Sequence, residues 1–199
     1  MHGTEAPADW VRRWSHLVPA GQSVLDVACG AGRHLAWFAQ RGHPVTGVDR
    51  DAAALSAAAT AAHGGAAAAA ASAATFRPGG EPACTLVQAD IENGPWPFPG
   101  QRFGAVVVTN YLWRPLLAAI VGSVAEGGVL IYETFAAGNE TVGRPSRPDF
   151  LLQPGELLEA AAGLRVVAYE DGFLAQPSRF VQRIVAVRSA QRCGPSLAA

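Results

Sequence analysis

Val24-Leu25-Asp26-Val27-Ala28-Cys29-Gly30-Ala31-Gly32 is the stretch whose reading decides the fold. Ser23 to Ala28 reads as a short strand, and Gly30 and Gly32 break it. Helix character follows from Arg33 to Arg41, Gly42 caps that helix, and Pro44 keeps it from continuing. Val45-Thr46-Gly47-Val48-Asp49 is a second strand, which completes a strand–helix–strand unit of about thirty residues. Two glycines behind a strand permit a tight turn and let a ligand approach the backbone closely.

The same alternation continues outward. Asp9 to Val18 carries Trp10, Val11, Trp14, Leu17 and Val18 at helical spacing and reads as an opening helix. Ala52 to Ala62 is an alanine-rich helix after the second strand, since alanine is the best helix former. Further strands are expected over 84–90, 104–109 and 129–133, with a helix over 114–124 between the last two. Gln153 to Ala162 reads as a helix with Pro154 at its start. Leu164–Tyr169 and Phe180–Ala186 close the pattern as two strands joined by a short turn-rich link, which predicts an antiparallel pair. Strands alternating with helices mean a doubly wound α/β sheet, here of seven strands. Residues 1–190 read as one domain, 63–82 as a low-complexity mobile insert, and 191–199 as a disordered tail.

The 199-residue chain is half hydrophobic with net charge −1, which points to no nucleic-acid or membrane-surface partner. Cys29, Cys84 and Cys193 are far apart and odd in number, so they form neither a disulfide framework nor a metal-ligand spacing. Met1 to Asp9 lacks the pattern of a signal peptide, and a reducing cytoplasm is the expected compartment. No bound metal is expected.

Ligands of doubly wound sheets lie beyond the carboxyl ends of the strands, at the switch point. Three acids stand at such ends in order: Asp26, Asp49 and Asp90. Leu35 takes the place of the third glycine of a dinucleotide loop, and Asp26 precedes Gly30 by four residues. A carboxylate there suits a ligand with a positive group rather than a pyrophosphate. S-adenosylmethionine has an ammonium and a sulfonium and no phosphate. Asp49 is placed to accept from both ribose hydroxyls, with Arg50 along the adenine. Asp90 is placed to accept from the adenine amino group, while Ile91 covers a ring face.

With these residues in place, the sequence resembles the class I S-adenosylmethionine-dependent methyltransferases. Residues 24–32 are similar to the family's acid–x–Gly–x–Gly–x–Gly motif, with Ala28 at the first glycine. Val45–Asp49, Ala89–Ile91, Phe103–Asn110 and Gly127–Tyr132 resemble the motifs that follow it. The resemblance covers about residues 20 to 190 and is loosely nearest the tellurite-resistance-type small-molecule enzymes. It implies a Rossmann-like sheet of order 3-2-1-4-5-7-6 with strand 7 antiparallel. It also implies a cofactor site of Asp26, Ala28, Cys29, Gly30, Asp49, Arg50, Asp90, Ile91 and Asn110, with S-adenosylhomocysteine as product. Asn110-Tyr111-Leu112-Trp113 lacks the prolines of amide and exocyclic-base methylators, which argues against those acceptors.

Methyl transfer is an in-line displacement at an already activated carbon, so alignment can supply much of the acceleration. On the acceptor side Tyr111 is placed to shape the methyl site or help deprotonate an acceptor, and Glu133 to act as a base or hold a cation. The long loop from Phe135 to Phe150 carries Asn139, Arg144 and Arg147, and its arginines suit an anionic substrate. His34 and Arg114 complete the expected substrate wall. The expected partner is thus a small-molecule methyl acceptor, with a monomer or homodimer as the assembly. Two other readings compete. One is a non-catalytic, methyltransferase-like cofactor-binding subunit that uses an exposed Trp10 and Trp14 for a protein contact. The other is a nicotinamide-dependent oxidoreductase, which Leu35 and Asp26 oppose.

Overall fold

The computed structural model describes residues 6–62 and 84–189. The expected insert and tail lie outside those residues. Chain order is α1 (Asp9–Trp14), β1 (Val24–Val27), α2 (Arg33–Ala39), β2 (Val45–Asp49), α3 (Ala52–Ala62), β3 (Cys84–Gln88), β4 (Phe103–Thr109), α4 (Leu117–Gly122), β5 (Val124–Phe135), α5 (Glu156–Ala160), β6 (Arg165–Ala175) and β7 (Ser178–Val187).

The seven strands form one sheet in the order β3-β2-β1-β4-β5-β7-β6, as expected. β1 to β5 run parallel, and β7 lies antiparallel to both β5 and β6. Parallel strands buried on both faces read as continuous apolar runs. Val24–Val27 and Phe103–Val108 are buried throughout for that reason. One face packs Leu25, Val27, Val106, Val108, Leu130 and Tyr132 with Ile120 of α4 and Leu157 of α5. The other packs Val24, Val107, Val129 and Ile131 under α1, α2 and α3.

Several boundaries differ from the sequence reading. The opening helix is six residues followed by a 3-10 turn over Ser15–Leu17. Trp10 is not an exposed aromatic: it is buried, and its indole N–H donates to the Ile184 carbonyl at 3.4 Å. The helix expected from Arg114 begins as a 3-10 turn, and α proper starts at Leu117. The helix expected from Gln153 starts at Glu156, because Gly155 takes a left-handed φ of 79°. β5 begins five residues early at Val124 and bulges past Gly127–Gly128, so that Phe103 faces Val124 while Ala105 faces Val129. β6 and β7 are longer than expected, because they zip together into one hairpin from Arg165–Val187 to Ala175–Ser178.

No helix among the described residues is long and apolar enough to cross a membrane.

Candidate active site

The loop after β1 is wound by alternating left-handed residues: Ala28 at φ 53°, Gly30 at φ 53° and Gly32 at φ 78°. Ala28 holds that conformation with a Cβ, which costs on the order of 1–2 kcal/mol, while the glycines take it freely. Gly32 is needed for a second reason. A Cβ there would lie 2.6 Å from Ala58 Cβ and 2.8 Å from Ala58 Cα, so its absence lets α3 press against the start of α2.

Asp49 organises this loop from the end of β2. Its Oδ2 accepts the Gly30 N–H at 2.8 Å and its Oδ1 accepts the Asp51 N–H at 2.9 Å. Asp90 is likewise engaged. Its carboxylate accepts the N–H groups of Glu92 and Asn93 and the Asn93 side-chain amide at 2.9 Å. The Asn93 amide is the main reason its carboxyl sits below the usual range. Asp26, from the middle of the buried β1, is 1% exposed, and its Oδ2 has no hydrogen-bond partner among the described residues. The nearest charge-capable group is His34 Nδ1 at 3.6 Å. The Ala8 N–H donates to His34 Nε2 at 3.2 Å, so Nδ1 carries the proton in this arrangement.

Two cavities open over these strand ends. The first, about 160 Å³, is lined by Ala28 and Asp49 on one side and by Ala89, Asp90 and Ile91 on the other, with Arg50 at the rim. The second, about 290 Å³, lies beyond β4 and β5 against Asn110, Leu112, Thr134, Phe135, Pro145 and Phe150. Glu92 and Tyr111 line both. Asn110 ends β4 in a left-handed conformation, φ 55°, which bends the chain so that Tyr111 stands between the cavities. The buried Tyr132 hydroxyl donates to the Tyr111 carbonyl at 2.9 Å and holds it there. Burial, with the Glu92 and Asp90 carboxylates adding, pushes the Tyr111 phenol well above its ordinary value. Its hydroxyl oxygen is buried and has no partner among the described residues.

The expected substrate residues divide. Tyr111 lines the larger cavity, whereas Glu133, Arg114, Asn139, Arg144 and His34 line neither. The Glu133 side chain lies on the same sheet face as Ile131, is 2% exposed, and is held by Arg179 at 3.1 Å and Arg183 at 3.2 Å from β7. Arg114 binds Glu156 through two nitrogens, at 2.6 and 2.9 Å, and caps the carbonyls of Asp149 and Leu151. Asn139 staples its loop to β7, giving its amide to the Pro145 carbonyl and accepting the Phe180 N–H. Arg144 is exposed beside Pro145, and Arg147 pairs with Asp149 at 2.7 Å. Glu92 was not anticipated as a lining residue, whereas Phe135 and Phe150 bound the loop expected on the acceptor side. Cys29 is buried, and desolvation, followed by the Asp26 and Asp49 carboxylates, pushes its thiol far up, so it is no nucleophile.

A seven-stranded sheet of this order, with a glycine loop after β1, Asp26 within β1, Asp49 ending β2 and Asp90 just past β3, is the arrangement that the resemblance to class I S-adenosylmethionine-dependent methyltransferases implied. The chain belongs to the family described as "Methyltransferase domain", whose model matches residues 24–128, just over half of the chain. Among curated proteins, ribosomal RNA small subunit methyltransferase C of Chromohalobacter salexigens is 56% identical over 39 residues. That match spans 20% of this chain and 12% of the relative's length. Among solved structures, TehB from Haemophilus influenzae superposes with a TM-score of 0.67 at 17% identity, over 94% of this chain and 63% of that one. Magnesium protoporphyrin IX methyltransferase from Synechocystis PCC 6803, solved with S-adenosylhomocysteine bound, gives 0.61 at 18% identity, over 90% of this chain and 78% of that one. The matched region is therefore a methyltransferase domain, and the chain spans less than two thirds of the length of the first relatives it resembles.

The residues present fit S-adenosylmethionine. Asp26 Oδ2 is buried with no hydrogen-bond partner among the described residues, a Cβ at Gly30 would meet nothing within 4 Å, so a ligand can approach the backbone there, and Asp49 and Asp90 line the first cavity.

Proposed function

We propose that the enzyme methylates a small-molecule acceptor held in the larger cavity. When bound, S-adenosylmethionine supplies an electrophilic methyl carbon on a sulfonium. Asp26 and the Ala28–Gly30 loop hold its methionine end, Asp49 the ribose, and Arg50, Asp90 and Ile91 the adenine. Asn110 and Tyr111 form the wall across which the acceptor reaches the methyl group. The observation that carries this reading is the shared wall: Glu92 and Tyr111 line both cavities, so an acceptor in one lies against a donor in the other. Alignment of that kind supplies rate without a strong base. Tyr111 acts through its neutral hydroxyl rather than as a base, because burial disfavours its phenolate. Glu133 braces β5 against β7.

A cofactor-consumption screen over thiol, chalcogen, amine, phenol and carboxylate acceptors tests this. Production of S-adenosylhomocysteine with at least one small acceptor is expected. Robust binding of S-adenosylhomocysteine with no turnover of any acceptor would instead favour a non-catalytic subunit.

A further inference from the structure

Resting on that reading, we propose that the acceptor is an amine carried on an apolar body, and that Glu92 and Tyr111 receive its nitrogen. The larger cavity holds three aromatic rings, Tyr111, Phe135 and Phe150, and a single charged side chain, the carboxylate of Glu92. Among the described residues no arginine or histidine lines it, and the chain contains no lysine. Four arginines of the surrounding elements are already paired: Arg114 with Glu156, Arg147 with Asp149, Arg179 with Glu133, and Arg183 with Glu133 and Glu170. Arg144 is exposed beside Pro145 and does not line the cavity. An anionic acceptor would therefore enter against the Glu92 charge, with no cation among the described lining residues of this cavity; Arg50 lies across Tyr111 in the first cavity. A cationic one gains the carboxylate and the ring faces, which attract cations through their quadrupole. The Phe150 ring already carries the Arg147 guanidinium at 5.3 Å.

The polar inventory agrees. An ammonium offers up to three N–H donors and no acceptor. The cavity is lined by Glu92, Asn110 and Thr134, all of which carry oxygen acceptors, and by Tyr111, whose hydroxyl is buried and has no partner among the described residues. A buried polar atom left unmatched is costly, and a ligand N–H at Tyr111 removes that cost. Before transfer the ammonium gives one proton to Glu92 or to water. The neutral nitrogen lone pair then forms the N–C bond while the C–S pair leaves on sulfur. The products are an N-methylammonium and S-adenosylhomocysteine, so charge and atoms balance.

The test is calorimetric titration of the S-adenosylhomocysteine-loaded protein with 2-phenylethylamine, cyclohexylmethylamine and tryptamine, and with the matched probes 2-phenylethanol, 3-phenylpropanoate and tellurite. At least one amine is expected to bind tenfold or more tighter than the alcohol, the carboxylate and the oxyanion. Glu92→Gln is expected to shrink that preference to less than threefold, and Tyr111→Phe to weaken amine binding severalfold. Melting curves of both variants confirm that they are folded. Tighter binding of the carboxylate or tellurite, no binding by any amine, or an amine preference that survives both variants overturns the inference. Failure of S-adenosylhomocysteine to bind the wild type would instead overturn the reading beneath it.

Discussion

Gly32→Ala is the substitution whose cost can be worked most completely from the structure. Two penalties combine at this position. The left-handed φ of 78° costs an L-residue on the order of 1–2 kcal/mol. The new methyl would lie 2.6 and 2.8 Å from Ala58 Cβ and Cα, closer than real contacts allow, and the helix backbone cannot rotate away as a flexible side chain would. Overpacking of that kind costs about 1–3 kcal/mol. The sum is roughly 2–5 kcal/mol, and for a chain of this length each kcal/mol shifts the melting temperature by roughly 2–4 °C. Gly30→Ala is the control: its φ is 53°, but a Cβ there meets nothing within 4 Å, so only the conformational penalty applies. Thermal and urea denaturation of the two variants should place Gly32→Ala about 1–3 kcal/mol below Gly30→Ala. Equal losses in the two would refute the close α2–α3 approach on which the loop geometry rests.

Three further outcomes follow from particular contacts. His34→Leu removes the acceptor of the Ala8 N–H and is expected to cost about 1–3 kcal/mol and to speed hydrogen exchange at the Ala8 amide; His34→Gln, which keeps an acceptor near Nε2, should restore protection, and unchanged exchange in the leucine variant would count against the contact. Glu133→Gln leaves two guanidiniums facing a neutral amide, and loss of one member of a buried ion pair costs about 3–5 kcal/mol, towards the lower end here because Arg179 and Arg183 are partly exposed. A melting temperature equal to wild type together with abolished turnover would return Glu133 to the role of base. Burial pushes the Cys84 thiol up to about 11 and Cys29 further still, so both stay thiols near pH 8. Peptide mass spectrometry after iodoacetamide treatment should find them unmodified until denaturant is added, and labelling at the rate of a free thiol in the native protein would contradict their burial.

The fold was legible because its signals are local. Val24–Gly32 announces a strand, a glycine turn and a helix within nine residues, and buried parallel strands such as Val106–Val108 read as unbroken apolar runs. Asp49 and Asp90 were legible as acids at or just past strand ends because a polar loop follows each, whereas Asp26, read as a strand-end acid, lies within β1. The acceptor side was not, since it depends on which way a strand's side chains point. Tyr132 and Glu133 are adjacent, and the pleat sends them to opposite faces. The β5–β7 register then sets Glu133 opposite Arg183, and the neighbouring Arg179 reaches it as well. Nothing near Glu133 in sequence discloses those partners. Asn139 was similarly unreadable, because its amide serves Pro145 and Phe180, the second of these 41 residues away. Glu92 was passed over because its role comes from the turn that Asp90 pins, and no motif marks it.

The central claim, that the loop after β1 and the acid ending β2 hold S-adenosylmethionine, is tested most directly by calorimetric titration of S-adenosylhomocysteine into the wild type and Asp49→Ala. Asp49 both orders the Gly30 backbone and lines the first cavity. Saturable binding to the wild type, silence with NADH, and at least tenfold weaker binding to Asp49→Ala, about 1.4 kcal/mol, are expected. Wild-type affinity in a folded Asp49→Ala protein, or tight NADH binding where S-adenosylhomocysteine gives none, would contradict the account.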